Sequence, residues 1–174
     1  RIIKHCQEKK MNTVLTSKNC LTGTDRIYEV SNKIKSQIYI NVQGDEPLIL
    51  PEDIQKIIKQ SQANPSSVIN GMANIKNSTD HKNPNIPKVV VDKKNNLLFM
   101  SRGAIPISKN LEFISAKKQV CIYAFPYEAL NIYGSINKKT PLEQIEDIEI
   151  LRFLEMGINV KMVELSDSSI AVDV

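Results

Sequence analysis

A strand-like run that stops abruptly on a glycine and two carboxylates constrains this chain more than any other stretch. Gln37 to Val42 (QIYINV) has strand composition and ends in Gln43-Gly44-Asp45-Glu46-Pro47, after which Pro51 takes the favoured first position of a helix reaching about Gln62. Strand, polar turn and helix in that order is the repeating step of an α/β domain. The rest of the chain continues the alternation. Arg1 to Lys9 reads as a helix with Ile2, Ile3 and Cys6 on one face, Asn12 to Thr16 as a strand, and a helix from Thr24-Asp25 carries Ile27, Val30 and Ile34 inward. Ser67–Ile75, Lys88–Asp92, Leu97–Ser101 and Gln119–Phe125 have strand character, and Lys93–Asn96 is a turn between two of them. Thr140-Pro141-Leu142-Glu143 has the form of a capping box, opening a helix with Leu142, Ile145 and Leu154 on its apolar side and Gly157 as its stop, before a last strand over Asn159–Leu165. Lys76 to Pro87, polar with two prolines, reads as a surface loop. The expectation is one α/β domain over residues 1–174, a mainly parallel sheet flanked by helices, with a small antiparallel insertion between 88 and 125.

Composition removes several classes of function. With 41% hydrophobic and 24% charged residues the chain has ordinary globular character. Its longest apolar runs, such as Ile38-Tyr39-Ile40 and Val89-Val90-Val91, are far short of the roughly 18 residues a bilayer span needs, so a soluble protein with no membrane partner is expected. The 23 basic and 19 acidic residues are dispersed and aromatics are 5%, which argues against a nucleic-acid partner that would need a basic face and stacking platforms. Only four basic residues are arginines, at positions 1, 26, 102 and 152; these are the side chains suited to bidentate grip on carboxylate or phosphate. Three cysteines without a CxxC or Cys/His cluster, and a start without signal-peptide shape, point to reduced thiols in a cytoplasm.

Three polar segments have chemistry to offer. Gln43 to Pro47 lies at a strand's carboxyl end, where open α/β sheets bind ligands, and its acids are either oxygen ligands for Mg²⁺ or solvated turn residues. Thr22-Gly23-Thr24-Asp25-Arg26 is either an anion site at a helix start or a capped surface helix. Arg102, directly after a strand, either clamps an anionic substrate or sits beside a glycine turn on the surface. Glu143 has a capping role first. His5 and His81 read as surface histidines, and Cys121 as a core residue rather than a nucleophile.

Together these segments resemble the sugar-activating cytidylyltransferases, the CMP-Kdo synthetases (3-deoxy-manno-octulosonate cytidylyltransferases) in particular. The resemblance is carried by Thr22–Arg26, Asn41-Val-Gln-Gly-Asp-Glu-Pro47, Asn83-Pro-Asn with Lys88–Asp92 and Ser101-Arg102, Ile122-Tyr123, and Thr140-Pro-Leu-Glu-Gln-Ile-Glu146. It implies a Rossmann-like nucleotidyltransferase fold and a reaction in which CTP and a 3-deoxy-ulosonic acid give a CMP-sugar and pyrophosphate with Mg²⁺ assistance, by a homodimer serving lipopolysaccharide or surface-glycan synthesis. By the same resemblance Asp45 and Asp173 hold metal, and Gln43 with Thr22, Gly23, Thr24, Asp25 and Arg26 contacts the nucleotide. Arg102, Gln119, Tyr123, Glu143 and Gln144 line the sugar-acid pocket. Gln119 stands where close relatives usually have histidine. The family's first strand and phosphate-gripping loop would lie before Arg1 and its closing helix after Asp173, so a non-catalytic sugar- or nucleotide-binding or assembly domain is the alternative.

Overall fold

The computed structural model describes residues 2–166. The elements run α1 (Ile2–Glu8), α2 (Gly23–Lys33), β1 (Ile38–Val42), α3 (Pro51–Ala63), β2 (Val68–Ile75), α4 (Ser78–Lys82), β3 (Lys88–Val91), β4 (Leu97–Ser101), β5 (Ala116–Pro126), α5 (Tyr127–Gly134), α6 (Pro141–Glu146), α7 (Ile150–Glu155) and β6 (Val160–Glu164). Six strands form one sheet in the order β4-β3-β5-β2-β6, with β1 also paired to β5.

The α/β class holds, but the sheet is not the mainly parallel one expected from the sequence. Among the described residues only β2 and β6 pair in parallel; β1, β2 and β3 all pair antiparallel with β5, and β3 with β4. The cause is the placement of β5. Ala124 pairs with Ile40 on one side and Ile69 on the other, so the eleven-residue β5 runs through the middle against the direction shared by β1, β2, β3 and β6. The antiparallel insertion foreseen between 88 and 125 is thus the sheet's centre rather than an appendage.

Alternation along the strands sends side chains to two cores. Val68, Met72, Tyr123 and Phe125 face one side with Leu130, Tyr133, Leu151 and Phe153, while Ile69, Ala73, Ile122 and Ala124 face the other with Ile57. On the first side aromatic rings form a chain from Tyr123 through Phe125 and Phe153 to Tyr133, with centroids 4.7–5.5 Å apart. Each such burial contributes about 1.5–3 kcal/mol. Helix α5 lies close against α2 at Gly134, where a Cβ would stand 2.2 Å from the Tyr28 ring. Gly134→Ala therefore forces the two helices apart and is expected to cost about 1–3 kcal/mol; an unchanged urea midpoint would contradict that contact.

Several local expectations are corrected. Asn12–Thr16 is not a strand, because among the described residues no strand pairs with it, and Leu15 is left 74% exposed. The stretch Lys76–Pro87 contains α4, capped by the Asn77 side chain accepting from the Asp80 amide. The single helix expected from Pro141 to Gly157 is two: α6 ends at Asp147 in a left-handed conformation (φ 51°), and α7 starts at Ile150. That break turns Leu142 and Ile145 outward, leaving Ile145 78% exposed. Ile34, assigned inward, is also exposed. His81 is fully buried beside Phe113 rather than at the surface.

Candidate active site

The turn after β1 is folded back onto β5. Gln43 N–H donates to the Cys121 carbonyl (3.2 Å), Glu46 N–H to the Gln43 carbonyl (3.2 Å), and the Cys121 amide donates to the Glu46 carboxylate (3.1 Å). Glu46 is buried as a result, and the turn leaves open space above Gly44. Asp45 has one carboxylate oxygen, Oδ1, buried without any hydrogen-bond partner among the described residues. A buried carboxylate oxygen is costly unless something satisfies it, and a cation is a suitable occupant.

This turn forms part of the wall of a cavity of about 800 Å³, which Gln43, Asp45, Arg102, Gln119, Tyr123 and Glu149 also line. Five of these six come from the residues singled out in the sequence. Arg102 is held there by its own backbone contacts: Nε donates to the Glu146 carbonyl (2.6 Å), Nη1 to that of Pro84 (3.0 Å) and Nη2 to that of Asp147 (3.0 Å). Of its five N–H groups two remain for a ligand. Beside it Lys88 is fully buried and donates to the carbonyls of Asn83 (2.8 Å) and Arg102 (2.6 Å). Burial first, then the Arg102 charge, lowers the Lys88 pKa, with Glu146 opposing. Glu146 accepts from the Ser101 hydroxyl and the Arg102 amide, so β4, α6 and the Asn83–Pro87 loop are fastened together at one point.

The Thr22–Arg26 segment does not line this cavity; it meets it through Glu149, a residue the sequence reading missed. The Glu149 carboxylate accepts from the amides of Gly23 (2.8 Å) and Thr24 (2.9 Å) and from the Thr24 hydroxyl. The anion expected at the α2 N-terminus is therefore this side chain. Nothing local marks Glu149; only the α6–α7 break brings it opposite Gly23. Thr22 caps α2 through the Asp25 amide, Asp25 accepts from Arg152, and Arg26 reaches Thr16 and the Ser17 carbonyl.

Glu143 and Gln144 are not brought to the cavity. Glu143 is fully buried, closes the capping box with the Thr140 amide, and pairs both oxygens with Arg152 at 2.6 and 2.7 Å. Gln144 is solvent-exposed on α6. Asp173 lies outside the described residues, and among those described no group of three His, Cys, Asp or Glu side chains could hold a metal. The Cys121 thiol, packed against the first core and also lining the cavity, is pushed up to about 12 by burial and then by Asp45, so it stays protonated at neutral pH. Tyr123 is raised as well, chiefly by burial.

The cytidylyltransferase family's sequence pattern matches residues 1–163. The chain belongs to the cytidylyltransferase family. The chain is 33% identical over 160 residues to the 3-deoxy-manno-octulosonate cytidylyltransferase of Escherichia coli, covering 92% of this chain and 65% of that protein. The mitochondrial enzyme of that name from Arabidopsis thaliana is 34% identical, with 99% of this chain and 61% of that protein covered. The chain thus spans about two thirds of the length of such relatives. A solved structure of CMP:2-keto-3-deoxy-manno-octonic acid synthetase complexed with CTP has 32% identity and a TM-score of 0.90, covering 99% of this chain and 71% of its own. An inositol-1-phosphate CTP transferase from T. maritima, 14% identical with a TM-score of 0.64 and coverage of 98% and 64%, shares the fold. Among the described residues, no helix is long and apolar enough to cross a membrane.

Proposed function

We propose that this protein, at full length, transfers the cytidylyl group of CTP to the anomeric hydroxyl of a 3-deoxy-ulosonic acid, Kdo or a close variant. The hydroxyl oxygen bonds to the α-phosphorus, the bond from that phosphorus to the pyrophosphate oxygen breaks, and the hydroxyl proton leaves to solvent. The observation that carries the reading is the likeness, at a TM-score of 0.90 over 99% of the chain, to a synthetase complexed with CTP.

The side chains fit such a displacement, which asks for positioning and charge neutralisation more than covalent chemistry. Gln43, beside the Gly23 end of α2, is placed for the nucleotide. The two spare N–H groups of Arg102 suit the sugar acid's carboxylate, and Gln119 and Tyr123 line the same wall. The protonated Cys121 thiol supports a reaction with no covalent enzyme intermediate. Mg²⁺ would be held by the unpartnered Asp45 oxygen, and by Asp173 on the strength of the family resemblance; bound there it supplies charge neutralisation to the phosphates.

The finer reading places the enzyme in the cytoplasm, supported by three free cysteines, serving surface-glycan synthesis. Exposed apolar side chains such as Leu98, Leu111 and Ile114 support a homodimer in which a second copy covers some of them.

The test offers the full-length protein CTP, Mg²⁺ and a panel of ulosonic acids, with mass-spectrometric detection of a CMP-sugar. Absence of any CMP-sugar overturns the reading. A sharper expectation concerns Arg102→Lys. It keeps the charge but gives up the fork that three carbonyls hold, so KM for the sugar acid should rise by about tenfold or more while KM for CTP changes little. Equal losses for the two substrates would take Arg102 out of the sugar subsite.

A further inference from the structure

We infer that Gln119 is a fixed hydrogen-bond acceptor in the cavity, locked in that polarity by Asn70, and that the substrate group it selects is a hydroxyl rather than an anionic oxygen. The inference rests on the proposed reaction and adds a specificity rule to it.

Counting protons fixes the polarity. Asn70 is fully buried on β2, and its Nδ2 donates to two backbone carbonyls, Val120 (3.0 Å) and Ile122 (2.9 Å). Carbonyls only accept, so the Asn70 amide has one permitted orientation and its Oδ1 is an acceptor. Those carbonyls are within reach because the β2–β5 register shifts there: Asn70 pairs with Tyr123 but Gly71 with Val120. The atom of Gln119 that stands 2.9 Å from Asn70 Oδ1 must then be a donor, which makes it Nε2.

The second Nε2 hydrogen is also committed. It goes to the Tyr123 hydroxyl oxygen at 3.3 Å. Gln119 has two amide hydrogens, and both are used within the protein. What it offers a ligand is Oε1, a group of lone pairs only. A carboxylate or phosphate oxygen brought against it would be repelled, whereas a hydroxyl would donate to it. Within this cavity the anionic end of a sugar acid is directed to Arg102, and a hydroxyl of its ring or side chain to Gln119.

The test uses the full-length protein with CTP, Mg²⁺, 3-deoxy-manno-octulosonic acid and analogues in which single hydroxyls are replaced by fluorine. Fluorine keeps the size and the lone pairs but has no proton to donate. One analogue should show a KM about tenfold or more above the parent acid. In Gln119→Met that ratio should fall to about twofold or less, because the acceptor is gone. Asn70→Thr, which fits a strand and retains one hydroxyl for a carbonyl, should reduce the ratio as well, although its side chain lies outside the cavity lining. An undiminished ratio in Gln119→Met, or a wild type indifferent to every fluorine, would overturn the inference and leave the reaction standing. A ratio unchanged in Asn70→Thr alone would overturn the lock. Failure of wild type to make a CMP-sugar from any acid would remove the reaction and the inference together.

Discussion

Asp45→Asn in the full-length protein is expected to lower turnover by at least about 10²-fold, which is about 2.7 kcal/mol of barrier, with the unfolding midpoint unchanged or raised. Asparagine has nearly the same shape, but it exchanges a carboxylate oxygen for an amide group and carries no charge to offer a divalent cation. The motivating observation is the Oδ1 atom, buried in the turn after β1 with no hydrogen-bond partner among the described residues. The folded protein bears the cost of that atom, so removing the carboxylate should not harm the fold. Steady-state rates at saturating Mg²⁺ and a urea titration on the same sample decide the matter. Undiminished turnover would remove Asp45 from the chemistry.

The second large effect is on stability. Glu143→Gln should destabilise the protein by about 3 kcal/mol, the lower end of the cost of breaking a buried ion pair. As a capping residue alone, Glu143 would tolerate glutamine, which accepts a hydrogen bond from the Thr140 amide nearly as well. The structure gives it a heavier duty. Arg152 is fully buried between Glu143 and the face of the Tyr133 ring, 3.8 Å from its centroid, and loses its bidentate partner in the variant. Asp25 still accepts from Arg152 at 3.1 Å, which is why the lower end is expected. Glu143→Gln combined with Arg152→Met should recover part of the loss, since replacing a buried pair by apolar groups is often close to neutral. A Glu143→Gln protein as stable as wild type in urea would reduce the residue to a cap.

Elements whose signal is local were legible in the sequence. Leu97–Ser101 and the helix opened by Pro51 appear as read, because alternation and a proline at the first helical turn depend on few neighbours. Asn12–Thr16 was misread for the complementary reason: strand propensity is a statement about partners, and none among the described residues pairs with it. The direction of β5 was likewise hidden, since an apolar strand looks the same in either direction. In the site, Gln43, Asp45 and Arg102 were legible from the polar segments that hold them, and Gln119 and Tyr123 from the family resemblance; all five share the cavity. Glu143 and Gln144 were carried there by resemblance alone, and the left-handed Asp147 separates their helix from Glu149, which does line it. Asn70 carried no signal and Lys88 only a place in the Lys88–Asp92 match, because a lysine or asparagine in a strand reads as surface until tertiary structure closes over it.

The central position of β5 also has a consequence in time. Three strands depend on it for pairing, and two of them, β1 and β2, are synthesised well before it. At about 5–20 residues per second the ribosome takes on the order of several seconds to go from Ile38 to its partner Pro126. For that interval Ile38-Tyr39-Ile40 is an apolar strand without the ladder that β5 provides, followed directly by the acidic turn that later meets Cys121. The nascent chain thus presents an adhesive segment to its surroundings before β5 can join it, and β1 and β2 complete their pairing only when β5 emerges.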